Sequence, residues 1–206
     1  MQRIFYTKVT PEEYCRQGKK FPFPAPTCCP NPACRVEVPP RKHNFYFRNV
    51  VTGNFIGRIP IRRYYCKYCG KTISYLPSFC LPHFQHTVDL IYTALGYLFV
   101  NAHSLRTGLQ ELKTHFRRLY WRRSHLQFYA RRFLANLERI KVGLRQLIPR
   151  IQLPDQGLNQ KKGAQKVLGI MATGFPQIQT FSTRYFDQCR YSFMAPADYF
   201  SIPCTC

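Results

Sequence analysis

Two patterns divide the chain. Residues 43–65 carry the pattern of strands: the run 43–51, rich in β-formers, leads to Gly53 and Asn54, which supply a turn, and 55–65 returns with Ile56, Ile59 and Ile61 as apolar positions and Arg58, Arg62 and Arg63 as polar ones. This predicts a β-hairpin. From His86 onward the step becomes helical. Val88, Ile91, Leu95 and Leu98, with Leu90, Ala94 and Val100, predict a helix of about three turns, capped by Thr87 and with Asp89 near its positive end. Ser104 is a suitable N-cap for a second helix through Leu105, Leu109 and Leu112. A third signal is the longest: Leu126, Ala130, Phe133, Leu137, Ile140, Leu144 and Leu147 alternate steps of four and three up to Pro149, predicting one continuous helix of about 39 Å. Gly143 lies inside it and costs about 1 kcal/mol against alanine, so fraying of the last turn is expected. The helix outruns the small unit beneath it, which leaves its far end for a partner helix.

The hairpin is flanked by cysteines. Cys29-Pro-Asn-Pro-Ala-Cys34 precedes it and Cys66-Lys-Tyr-Cys69-Gly70 follows it. Two short loops each holding a pair of thiolates, with a long return between them, can converge on one tetrahedral Zn²⁺, and Gly70 suits the tight turn after the last ligand. The expected ligands are Cys29, Cys34, Cys66 and Cys69, with Cys28 able to replace Cys29. Four protein thiolates leave the metal no open position, so one structural ion is expected. No secretory signal opens the chain, which implies a reducing compartment in which thiolates bind metal rather than pair. Cys80 reads as a small core residue, and Cys204 and Cys206 are too isolated to define a site.

The expected fold class is therefore α+β: a small zinc ribbon, then a helical unit of helix-turn-helix type with a long third helix. The boundaries fall as a lead segment 1–20, a ribbon 21–83, a helical unit 84–149 and a tail 150–206 to which no chemistry is assigned. Residues 21–26, with alternating prolines, form an extended lead-in to the first cysteine pair, and the Pro-bracketed stretch 76–82 packs on the ribbon.

Charge narrows the partner. Thirty-one basic residues against 9 acidic ones give +22 in a 206-residue chain, far beyond what solubility requires, while 45% hydrophobic content excludes a disordered basic tail. No apolar stretch is long enough for a membrane span, and no motif marks a small-molecule substrate. Double-stranded DNA is the expected partner. On the hairpin Lys42, Arg48, Arg58, Arg62 and Arg63 interleave with aromatic rings. On the third helix Arg122, Arg123, Ser124, Gln127, Arg131 and Arg132 suit a recognition helix: arginines grip phosphates or guanine edges and Gln127 addresses adenine. The connection between Leu112 and Arg122 exceeds the three or four residues of the compact motif.

The stretch from Phe21 to Leu90, with FPFPAPTCCPNPAC, RYYCKYCGKT and LPSFCLP in order, resembles the uncharacterised zinc-ribbon proteins encoded with bacterial insertion sequences and transposons. That resemblance implies a ribbon followed by a helix-turn-helix, binding of element-end DNA or regulation of transposition, the ligands Cys29, Cys34, Cys66 and Cys69, a separate transposase or a second copy as partner through helix 124–148, and a bacterial cytoplasmic, nucleoid-associated location. An RNA- or ribosome-associated ribbon protein is the alternative. A reduced transposase is the other, but nine acids, of which Asp155, Asp187 and Asp198 lie in the tail outside any alternating strand and helix pattern, leave no room for a two-metal catalytic core, and no enzyme is expected.

Overall fold

The computed structural model describes residues 1–34, 36–153 and 159–196. The calls made on Asp155, Asp198, Cys204, Cys206 and the loop around Pro154 lie outside the described residues. The fold is α+β, with one four-stranded sheet and, among the described residues, seven α-helices.

The expected hairpin is present: β2 (Arg41–Val51) pairs antiparallel with β3 (Ile56–Tyr65), with Ile59 and Ile61 buried and Ile56 exposed on the opposite face. The turn between them is closed by Thr52, whose amide donates to Phe55 O and whose hydroxyl accepts from Phe55 N, each at 2.8 Å. β4 (Thr72–Pro77) pairs antiparallel with β3, and β1 (Gln2–Phe5) pairs parallel with β4, giving the order β1-β4-β3-β2. Residues 2–5 of the expected lead segment thus form a strand of the sheet. After β1 comes α1 (Pro11–Gln17), capped by the Thr10 hydroxyl, which accepts from Glu13 N. Its Tyr14 is fully buried among Ile4, Phe21, Ile59, Ile61, Leu76 and Phe79, and donates its hydroxyl to Pro60 O at 3.1 Å. Burial of these six large apolar side chains around one ring, each contributing about 1.5–3 kcal/mol, secures residues 1–23 to the sheet.

α2 (Val88–Leu95) continues as a π-helical turn over Gly96–Val100, close to the three turns its periodicity predicted. α3 (Leu105–His115) starts at Ser104, whose hydroxyl accepts from Thr107 N. The predicted long helix is two helices, α4 (Arg123–Ala135) and α5 (Leu137–Leu147), divided at Asn136. At the break Asn136 has φ −97° and ψ 2°; its side-chain amide shares Arg132 O with its own backbone N–H and also donates to Ala195 O, both side-chain bonds at 2.9 Å, while its carbonyl still accepts from Ile140 N.

The tail is also structured. α6 (Gln160–Gly174) and α7 (Ile178–Cys189) pack against α5, and the apolar stripe of α4 and α5 faces Ala164, Val167, Leu168, Met171, Phe181 and Tyr185 in one core. The seam expected to await a partner helix is filled by the chain itself. Phe186 of α7 reaches the sheet core, so α7 contributes to both cores. No helix among the described residues is long and apolar enough to cross a membrane.

Candidate metal centre and basic surfaces

Two loops at one end of the hairpin carry the four cysteines. In the first, Cys34 N donates to Asn31 O at 2.9 Å, closing the turn that returns Cys34 towards Cys29. In the second, Cys66 N donates to Lys71 O and Gly70 N to Cys66 O, at 3.0 and 2.9 Å. Gly70 takes φ +65°, a conformation in which a side chain is strained. The Sγ atoms of Cys29, Cys34, Cys66 and Cys69 lie within 4.8 Å of one another, with Cys29 to Cys69 at 3.7 Å and Cys34 to Cys66 at 3.8 Å. A tetrahedral ion bonded to sulfur at about 2.3 Å has sulfur–sulfur edges of about 3.8 Å, so the residues fit a metal held by four thiolates. Cys28 is exposed and outside the group, which assigns the first position to Cys29. Tyr64 and Ile73 form an apolar floor beneath the cluster, and Tyr64 donates its hydroxyl to Pro24 O at 2.8 Å, tying the proline-rich lead-in to β3.

Electrostatics favour a cation there. Burial, aided by the neighbouring sulfurs, pushes the Cys29 thiol up to about 12, whereas at Cys69 burial is outweighed by the Lys71 amide, the Asn31 side chain and adjacent thiols, which bring it down to about 6. Sulfurs this close cannot all carry charge unless a positive ion lies among them. Among the described residues this is the one group of three or more His, Cys, Asp or Glu side chains close enough to share an ion.

The hairpin register separates the basic residues predicted to act together. Phe45 faces Arg62, Phe47 faces Pro60 and Asn49 faces Arg58 on one side of the sheet, whereas Tyr46, Arg48 and Val50 share the other side with Ile61, Ile59 and Gly57. On the first side Arg62 lies over Phe45 at 4.5 Å and Arg58 over Phe47 at 5.4 Å, with the Lys19 ammonium 5.8 Å from each ring. Lys19, Phe45 and Phe47 escape notice in the sequence because the contact joins an N-terminal segment to a distant strand. Arg48 turns towards the chain: its Nη2 donates to Leu81 O at 3.1 Å and also to Phe84 O, fixing the loop before α2. Arg63 pairs in register with Ser74, and Lys42, exposed, with Tyr64 beyond a bulge of one extra residue in β2.

α3 and α4 pack together, joined by residues 116–122. On α4, Ser124, Gln127, Phe128, Arg131 and Arg132 line one shallow surface, with Arg132 over the Phe128 ring at 5.3 Å. Arg122 and Arg123 are exposed at the start of the helix. Beside this surface His86 is buried against Trp121, His125 and Tyr129, its Nδ1 2.6 Å from the Tyr129 hydroxyl. Burial and the facing His125 pull its pKa down to about 4, so the ring is neutral near pH 7. Of the carboxylates, Asp89 accepts from Gln179 at 2.9 Å and Asp187 from Arg3 at 3.3 Å.

Comparison of the chain with known protein families, with curated proteins and with solved structures found no match.

Proposed function

We propose that this chain is a zinc-dependent, duplex DNA-binding protein that serves a transposable element as an accessory or regulatory component, recruiting or modulating a separate transposase. Zinc is the ion best suited to the four cysteines: a closed set of soft thiolates with edges of 3.7 and 3.8 Å suits a tetrahedral structural Zn²⁺. With every position taken by protein, the metal holds the two cysteine loops at the end of a zinc ribbon and takes no part in chemistry.

The observation that carries DNA binding is the surface of α4. Between Glu111 and Glu138 the chain has seven lysines and arginines and no acid. Within that stretch Ser124, Gln127, Arg131 and Arg132 fall on one side of a helix, the spacing a recognition helix needs to reach base edges and phosphates together. α4 also begins with Arg122 and Arg123 at its positive end and no acidic residue in its first turn, an arrangement that a phosphate relieves. In this reading α3 and α4 are a helix-turn-helix with a lengthened connection. The transposon role rests on the resemblance of residues 21–90 to ribbon proteins of mobile elements.

The test is binding of the zinc-loaded chain to duplex DNA from the ends of a neighbouring mobile element, against scrambled duplex and structured RNA, over a range of salt. Preference for the element-end duplex that persists at high salt and is lost in a Cys66→Ser, Cys69→Ser variant supports the proposal. Equal binding to every polyanion, vanishing with salt, overturns it. A second reading, an RNA-associated ribbon protein, draws on Phe45 and Phe47 with their overlying Arg62, Arg58 and Lys19, a surface suited to stacking on unpaired bases. Preferential capture of RNA in the same experiment favours that reading.

A further inference from the structure

The connection between α3 and α4 holds the most exposed aromatic ring among the described residues between two of the more buried side chains. Tyr120 is 79% exposed, while Leu119 before it is 7% and Trp121 after it is 2%. An isolated tyrosine on a flexible loop would need no explanation. This loop, however, is fixed along its length. At its start Phe116 N donates to Leu112 O at 2.8 Å, and the Phe116 ring lies against the β2–β3 turn so closely that a Cβ at Gly53 would fall 2.0 Å from its Cδ1. Leu119 N then donates to Phe116 O at 3.1 Å, and Leu119 and Trp121 enter the helical core, where Trp121 stacks on Tyr129 with ring centroids 5.2 Å apart. At its end Arg122 N donates to His125 Nδ1 at 3.1 Å. Arg117, Arg118, Arg122 and Arg123, on either side of Tyr120, are all exposed.

We infer that residues 116–122 form a base-stacking element in which Tyr120 takes an unpaired base at a junction between duplex and single-stranded DNA, while the flanking arginines hold the phosphates around it. The inference rests on the duplex-binding reading of α4 and adds to it a preference for where on DNA the chain sits. Three physical points support it. A backbone held by buried neighbours on both sides of Tyr120 loses little conformational freedom on binding, so the stacking gain is not spent on ordering the loop. Three guanidinium groups in the loop, a fourth at the first residue of α4 and no carboxylate among them attract a strand whose bases are no longer screened by a partner. Finally, Tyr120 lies three residues before the first residue of α4, so a duplex on the face of Ser124 and Arg131 brings a junction towards the loop, where an unpaired base can offer a ring face that a terminal base pair offers on one side only.

The experiment compares two labelled DNAs that share one duplex sequence, one blunt and one with a single-stranded overhang carrying 2-aminopurine at its first unpaired position, titrated with the zinc-loaded full chain. The expected result is about tenfold tighter binding of the overhang DNA, with quenching of 2-aminopurine, within the range for a base–aromatic stack. Tyr120→Leu abolishes both the preference and the quenching and leaves blunt-duplex affinity unchanged, and Tyr120→Phe retains them, because the hydroxyl plays no part in stacking. Such an exposed position leaves the fold intact in either variant. Equal affinity of the wild type for the two DNAs, or a preference that survives Tyr120→Leu, overturns the inference, and blunt-duplex binding that persists in those cases leaves the α4 reading standing. Overhang binding with quenching but no blunt-duplex binding instead removes the α4 reading and retains the stacking element.

Discussion

Gly143 of α5 lies under the ring of Tyr185 of α7: a Cβ at position 143 would fall 2.3 Å from Tyr185 Cε2 and 2.9 Å from Cδ2. The ring cannot swing aside freely, because its hydroxyl donates to Arg139 O at 3.1 Å. In isolation Gly143 weakens its helix. In the fold it is what allows α7 to approach α5.

Gly143→Ala is therefore expected to destabilise the protein by about 1–3 kcal/mol through overpacking, despite the roughly 1 kcal/mol that alanine adds to an isolated helix. Denaturant unfolding measures the difference, and Tyr185→Leu in the same chain should recover part of the loss. A stabilised Gly143→Ala variant would mean that the two helices do not meet in this way.

Metal content distinguishes adjacent cysteines. Cys29→Ser should lower bound metal well below one ion per chain and expose residues 24–34 to protease, whereas Cys28→Ser should retain one ion, since its side chain lies outside the cluster. Elemental analysis of the purified variants, before and after chelator, provides the measurement. Chelation should loosen the cysteine loops and the adjoining ends of β3 and β4 before the helical core, whose packing does not include the thiolates.

Stability should depend on pH through His86. Its imidazole titrates near 6.5 when unfolded and at about 4 in the fold, where burial and His125 oppose its charge. Between those values the unfolded chain binds a proton that the folded chain refuses. Stability from this group is thus full above about pH 6.5, falls as pH decreases and stops falling below about 4. Thermal unfolding of zinc-loaded protein between pH 7 and 5 should show a decline in Tm that is smaller in His86→Gln. Parallel slopes for the two proteins would count against a buried neutral histidine.

Two arginines predicted alike should behave differently. Arg48→Gln removes the charged donor to Leu81 O and Phe84 O and should cost about 1.5–3 kcal/mol of stability. Arg131→Gln, at an exposed position on α4, should leave stability unchanged, weaken duplex binding and reduce the slope of log affinity against log salt by about one. Calorimetry and a salt titration separate the two effects.

The cysteine cluster was legible because its information is local: two loops of a few residues each set their own sulfur spacing, and the hairpin needs only its β-forming runs and their turn to bring the loops together. β1 was not, since four residues carry little periodicity and its partner β4 lies some seventy positions away. The tail helices could have been found. Ala164, Val167, Leu168 and Met171, and likewise Ile178, Phe181, Tyr185 and Phe186, keep the helical step, but glycines at 163, 169 and 174 and β-branched or aromatic residues in α7 lower the intrinsic propensity, so packing on α5 decides the outcome. The break at Asn136 is hidden for the opposite reason: the apolar step of α4 and α5 runs unbroken across a bend made by one polar side chain. Which hairpin arginines share a face depends on register, and one extra residue in β2 alters that register.

Because β1 joins the sheet beside β4, while α7 supplies Phe186 to the sheet core and Asp187 to Arg3 at 3.3 Å, the first strand packs with the last helix among the described residues. Synthesis proceeds in one direction, so β1 leaves the ribosome without a partner and must wait for β4, and both cores remain open until α7 has been made. Closure of the sheet core thus depends on contacts between segments far apart in the sequence, the kind that form slowly because the entropy of closing a long loop must be met before any contact rewards it.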